Sequence, residues 1–251
     1  MKPCYEAAVC AALAVVLALP LAAQAPAKPE EGITRQQADE ILNELRQIRQ
    51  LLEKQQAGPA APAKDQPERA KLNLQDAPML GEKDAPITMV EFTDYECPYC
   101  QRFHSDTFPE IKKKYIDTGK VRFFSRDFPL DFHPDAMRAA QAGRCARAQG
   151  KFWEMRETMN AHPDKLDLES LAAEAGSLKL DIAAFRTCVD DGSQKNGVQT
   201  DILEATKIGA DGTPAFVIGK STATGVDGEI MVGAQPFDAF DQKLKALETA
   251  Q

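Results

Sequence analysis

Ile87-Thr-Met-Val-Glu-Phe-Thr-Asp-Tyr-Glu-Cys97-Pro-Tyr-Cys100 is the stretch that decides the fold. Residues 87–93 alternate as a β-strand, and residues 98–115 read as a helix. Between them stand Cys97 and Cys100, separated by Pro98 and Tyr99. Proline suits the first helical position, where an N–H is not needed. Cys97 then falls at a helix N-terminus, whose unpaired N–H groups and dipole favour a negative charge. The thiolate is the nucleophile of disulfide exchange, and such positions lower a cysteine pKa to roughly 3.5–7.5. Cys100, one turn on and facing the body, is placed to resolve a mixed disulfide formed at Cys97. A static short-loop disulfide or half a zinc site are the bland alternatives.

Outward from this motif, residues 121–125 read as a second strand. Residues 135–149, 152–160, 168–175 and 182–189 read as helices, punctuated by Gly and Asp/Asn clusters. Strand character returns at 215–218 and 229–232, before a closing helix from Phe237. The expected architecture is α/β: a small mixed sheet flanked by helices, with a helical insertion at about residues 133–208. Trp153 with Phe152, Met155 and Met159 has helical spacing and reads as core, while His133 and His162, each before a proline, read as loop or cap residues.

The N-terminus indicates export. Lys2 precedes an apolar run over residues 7–19 and a small-residue stretch over 21–27, with A-x-A cleavage candidates ending at Ala25 and Ala27. The run is shorter than the ~20 residues a bilayer span needs. Residues 1–27 are therefore expected to be a signal peptide that leaves a soluble protein in the periplasm or otherwise outside the cytoplasm. Of six cysteines this removes Cys4 and Cys10, leaving Cys97, Cys100, Cys145 and Cys188. An even set in an oxidising compartment reads as disulfide chemistry. Cys145 and Cys188 both fall in the helical insertion and are expected to pair as a structural disulfide, two free buried cysteines being the alternative. Thirty basic against thirty-eight acidic residues, a net charge of −8, argue against nucleic acid as a partner.

Residues 33–56 form a second region, strongly helical by propensity. Thr34, Ala38, Ile41, Leu45, Ile48 and Leu52 make an a/d seam that suits a homo-oligomer. Residues 57–71 read as a Pro/Ala-rich linker, so the globular part is expected over 72–251.

Two further features lie beside the motif. Thr213-Pro214 follows the turn cluster 209–212 and opens a strand, with nothing local to require a cis bond. Glu91 shares a strand face with Met89 and Thr93, where an ordinary solvent-facing carboxylate is the simple reading. Together, Glu91-Phe92, Cys97-Pro-Tyr-Cys100, Gly212-Thr-Pro-Ala-Phe-Val-Ile-Gly219 and Gly233-Ala-Gln-Pro-Phe237 resemble the DsbA-like thiol:disulfide oxidoreductases of the thioredoxin superfamily, over about residues 76–248. The resemblance implies a thioredoxin-like fold with an inserted helical subdomain and Pro214 in the cis form beside the cysteines. It implies that Thr213 touches the substrate chain and that Glu91 is a buried carboxylate beneath Cys100 assisting proton transfer. Lys120, Arg122 and Arg126 are the candidates for a basic partner of Glu91.

On this reading no cofactor is needed beyond the Cys97–Cys100 pair. The partners are unfolded or misoxidised protein substrates and a membrane redox partner that resets the thiols. One rival keeps the chemistry and reverses its direction, as an oligomeric isomerase or reductase. The other is a periplasmic copper or zinc protein, because Cys100 and His104 are spaced i, i+4 and with Cys97 offer two thiolates and an imidazole.

Overall fold

The computed structural model describes residues 34–56 and 68–249, with side chains in the first segment described as far as residue 47. The expected signal peptide and residues 57–67 of the expected linker lie outside the described residues. The chain divides into two units, Met1–Pro62 and Ala63–Gln251. In the first, helix α1 spans Arg35–Gln56. It starts in a capping box: the Gln37 N–H donates to Thr34 Oγ1 at 3.2 Å, and the Thr34 N–H donates to Gln37 Oε1 at 3.0 Å. Of its seam residues, Ile41 and Leu45 are 48% and 55% exposed.

The second unit carries a six-stranded sheet in the order β1-β6-β5-β3-β4-β2. The strands are β1 (Arg69–Asn73), β2 (Met79–Leu80), β3 (Ile87–Thr93), β4 (Val121–Asp127), β5 (Ala215–Ser221) and β6 (Gly225–Val232). β3 and β4 pair in parallel, and every other pairing is antiparallel. Strands β1 and β2 extend the sheet beyond the sequence reading. β1 alternates exposed and buried along Arg69-Ala-Lys-Leu-Asn73, so the strand begins inside the stretch read as linker.

β3 is central, flanked by β4 and β5, and all seven of its residues are buried. One face packs into a core with Val90, Phe92, Val217 and Leu72, the other into a core with Met89, Phe123, Phe216 and Phe240. Strand parity therefore separates two buried faces here, and the solvent-facing reading of Glu91 is corrected: the residue is wholly buried.

The helix after Cys97 starts as α2 (Pro98–Arg102) and continues through a π-helical turn, Phe103–Thr107, into α3 (Phe108–Ile111) and a second π turn, Lys112–Ile116. Pro109 cannot donate to the carbonyl of Ser105 and its ring crowds that turn. The chain widens just before it, and the Phe108 N–H bonds back to Phe103 O. Between β4 and β5 run α4 (Ala136–Ala148), α5 (Phe152–Ala161), α6 (Leu168–Ser177), α7 (Ile182–Asp190) and α8 (Lys195–Lys207), and α9 (Phe237–Thr249) closes the chain. Helices α4 to α7 enclose a separate core of Tyr95, Cys145, Met155, Met159, Leu171 and Phe185.

Cys145 of α4 and Cys188 of α7 are joined in a disulfide with a Cα–Cα distance of 5.9 Å and a sequence separation of 43. Closing a loop of that length in the unfolded chain corresponds to roughly 4 kcal/mol of stabilisation. Urea unfolding of Cys145→Ala/Cys188→Ala is expected to show a loss near that size. A loss below roughly 1 kcal/mol would mean that the apolar packing of α4 on α7 does the holding.

Candidate active site

Antiparallel pairing of Phe92 with Ala215 brings the start of β5 to the end of β3, where α2 begins. Thr213-Pro214, joined by a cis peptide bond, thereby lies against Cys97. Cys97 holds the N-cap position of α2 with extended backbone, Pro98 follows at the helix start, and no side chain caps this end. The helix N–H groups are left to Cys97 itself. In its thiol form Cys97 Sγ donates to Thr213 O at 3.4 Å.

Cys97 is 3% exposed and Cys100 wholly buried, whereas Tyr99 between them is 57% exposed. Both are free thiols. A hydrogen bond from the Cys100 thiol is the largest influence on Cys97. Joined by the backbone N–H groups of Cys100 and Tyr99, it outweighs burial and holds the Cys97 pKa at about 5. Burial, the bond to Cys97 and the negative charge of Glu91 push Cys100 well above the ordinary thiol value. One cysteine is thus a ready thiolate and its neighbour a held thiol.

Beneath them Glu91 sits in a closed polar cluster. Its Oε1 is 3.0 Å from His104 Nε2, and its Oε2 accepts from Arg156 Nη2. Arg156 Nη2 is also 2.9 Å from His104 Nε2, and Arg156 Nε donates to Ser125 Oγ at 3.2 Å. The Arg156 guanidinium lies 5.4 Å from the ring centres of Phe108, Phe123 and Trp153, which desolvate it without removing its charge. Burial pushes the Glu91 carboxyl up, but His104 and Arg156 together outweigh it and hold the carboxyl below its ordinary value. Burial and then the charge of Arg156 push His104 down, so the imidazole is neutral at neutral pH. Arg156 therefore supplies the compensating charge and His104 a hydrogen bond.

The basic partner differs from all three sequence candidates. Lys120 pairs with Glu248 at 3.0 Å, Arg122 donates to Thr88 Oγ1 at 2.7 Å, and Arg126 pairs with Asp201. The partner is Arg156, supplied by the insertion. Its signal was present: Phe152, Arg156 and Met159 share the buried face of α5, and an arginine there demands an anion. Asp94 was also missed. Its Oδ2 accepts from the Leu130 N–H at 2.8 Å and meets His133 Nδ1 at 2.7 Å, tying the loop after β4 to the turn before Cys97.

Among the described residues no group of three or more His, Cys, Asp or Glu side chains is arranged to hold a metal ion. The i, i+4 reading of Cys100 and His104 fails for a physical reason. His104 Nε2 faces a carboxylate and a guanidinium, and a fixed cation beside a ligand nitrogen opposes a metal.

A buried thiol pair at the start of a helix, faced by a cis-proline loop on a mixed sheet with an inserted helical subdomain, defines the thioredoxin fold in its DsbA-like form. Residues 73–242 match the family model described as Thioredoxin, and the chain belongs to that family. It is similar to α-DsbA1 of Wolbachia pipientis at 29% identity, covering 70% of this chain and 92% of that one, with a TM-score of 0.63. It is similar to BdbD of Bacillus subtilis at 25% identity, covering 72% and 98%, also with a TM-score of 0.63. Among curated proteins it matches the Na(+)/H(+) antiporter NhaA 3 of Salinispora tropica, 37% identical over 139 residues, which are 55% of this chain. The chain spans about a fifth of the length of the curated relatives it matches, 21% in that case. Among the described residues no helix is long and apolar enough to cross a membrane.

Proposed function

We propose that the protein is an exported thiol:disulfide oxidoreductase acting on protein substrates through Cys97 and Cys100. The observation that carries this reading is the asymmetry of the pair: Cys97, held at about 5 at the start of α2, beside Cys100, held well above the ordinary thiol value. In the oxidising direction a substrate thiolate attacks Cys97 Sγ of the Cys97–Cys100 disulfide, and Cys100 leaves as the thiolate and takes a proton. The substrate's second thiolate then attacks the sulfur bonded to Cys97, which leaves as its stable thiolate. Thr213 and Pro214 position the substrate segment, and Glu91 serves the proton of Cys100. The chain needs no organic cofactor for this, and a membrane partner resets the thiols after each turnover.

Equilibration of the Cys97–Cys100 pair against glutathione tests the direction. A potential near or above the compartment's poise supports oxidase or isomerase, and one far below it supports a reductase.

The second reading, an oligomeric isomerase, rests on α1. Its exposed Ile41 and Leu45 belong to a helix of 22 residues, marginal in water without a partner for that stripe. Self-association through Thr34, Ala38, Ile41, Leu45, Ile48 and Leu52 would gather several cysteine pairs around one space. Light scattering is expected to give a multiple of the chain mass for the full protein and a monomer for a version beginning at Glu68. Equal monomeric masses for both would leave the monomeric oxidase.

A further inference from the structure

Beside the Glu91 cluster lies a cavity of about 510 Å³ lined by Leu80, His104, Phe108, Trp153, Arg156 and Asn160. Its rim residues Ser105, Pro109 and Glu157 are exposed. Cys97, Cys100, Thr213 and Pro214 do not line it. His104 stands between: Nε2 meets Glu91, while the side chain keeps 6% of its surface exposed and borders the cavity. We infer that His104 is a proton relay between Glu91 and this cavity, an outlet that stays open while a substrate covers the Cys97 face.

The inference rests on the proposed exchange activity and concerns its resolving step. There, Cys100 loses its proton to Glu91 as its sulfur attacks the Cys97–substrate disulfide. The Cys97–Cys100 bond forms, the Cys97–substrate bond breaks, and the substrate leaves as a thiolate. The proton then passes from Glu91 to His104 Nε2, while Nδ1 releases its own proton to water in the cavity. The reverse order delivers a proton to the Cys100 thiolate in the oxidising direction.

The heavy-atom positions serve both proton states. With Glu91 ionised before the resolving step, Arg156 donates to Oε2 and to the Nε2 lone pair of the Nδ1–H tautomer; afterwards Nε2–H donates to Oε1, and the oxidising direction returns His104 to Nδ1–H. With Glu91 protonated in between, its O–H donates to the Nε2 lone pair. The depressed proton affinity of Glu91 suits a carrier that passes a proton on rather than a store that keeps it. The charged or titratable groups around His104 are Glu91 on β3, Cys100 on α2, Lys112 on the second π turn, and Arg156 and Glu157 on α5. Arg156 is the nearest of the cations and stays protonated at working pH, so it is not itself the relay. His104 is thus a positioning and relay residue, acting through Glu91.

The test is the rate at which Cys100 releases a thiol peptide bound to Cys97, followed against pH in His104→Gln and His104→Ala. Gln keeps a donor for Glu91 but moves no proton, and Ala opens room beside the cavity. Peptide release is expected to slow ~100-fold or more at neutral pH, the low end of acid–base contributions. The loss should shrink as pH rises, and added imidazole should restore His104→Ala. Slowing that is equal at every pH and insensitive to imidazole means that His104 only packs the cluster, and overturns the inference. So does an unaltered rate in His104→Gln. If the unsubstituted protein itself fails to release the peptide, the exchange reading has failed instead. Should His104→Gln not fold, the imidazole response of His104→Ala decides alone.

Discussion

Cys97→Ser is expected to reduce disulfide exchange to the uncatalysed background, while Cys100→Ser accumulates mixed disulfides formed when the Cys97 thiolate attacks a substrate disulfide. Both follow from the positions of the sulfurs. Cys97, at the N-cap of α2, is the thiol whose anion the helix start and the Cys100 thiol stabilise. Cys100 is wholly buried and can reach only the Sγ of Cys97 itself, expelling the substrate sulfur. Removing Cys100 takes away the intramolecular exit, so the mixed disulfide persists. Alkylation of the reduced protein should therefore titrate with a midpoint near 5, and an observed midpoint near the ordinary thiol value of 9.0 would contradict the assignment. The same depression favours the dithiol state. Its contribution is fully present above the unfolded-state thiol pKa and is lost as pH falls through about 5. At neutral pH this raises the potential of the pair above that of an unperturbed dithiol, a shift the glutathione equilibrium reads. Adducts absent from Cys100→Ser while Cys97 still alkylates would sink the division of labour.

Much of this arrangement was legible because local and long-range signals agree around Cys97. Alternation in Ile87–Thr93, the proline after Cys97 and the turn before Ala215 each describe one element, and the sheet brings them together. Glu91 was ambiguous for a different reason. Parity tells which residues share a face but not whether that face is covered, and β3 has cores on both sides. Arg156 was hidden because its partner lies 65 residues away on another element, and only packing of the insertion on the sheet joins them. His104 carried a misleading spacing: one turn from Cys100 suggested a shared ligand face, yet the imidazole turns to Glu91. The strand β1 had a readable period of two, masked by the Pro/Ala-rich residues before it.

Arg156→Met is expected to destabilise the protein by about 3–5 kcal/mol, the usual cost of stranding one member of a buried ion pair. The Arg156 side chain is 4% exposed and that of Glu91 wholly buried, so water cannot take over the lost role. The pH dependence gives the prediction its sharper edge. In the unsubstituted protein the carboxyl of Glu91 is held below its ordinary value, so its contribution is present above the unfolded-state pKa and lost as pH falls through the folded one. Without the guanidinium, burial dominates and raises the folded pKa. The variant then binds a proton on folding, and its stability falls as pH rises through the unfolded-state pKa towards the folded one. The gap between the two proteins should be widest at neutral pH and narrow on mild acidification, as neutral Glu91 becomes tolerable in its apolar surroundings. Glu91→Leu/Arg156→Met should recover most of the loss, since two apolar side chains strand no charge. Urea unfolding at neutral and mildly acid pH measures all three. A deficit that does not change with pH, or a double variant no better than Arg156→Met, would mean that Arg156 stabilises through Phe108, Phe123 and Trp153 rather than through Glu91.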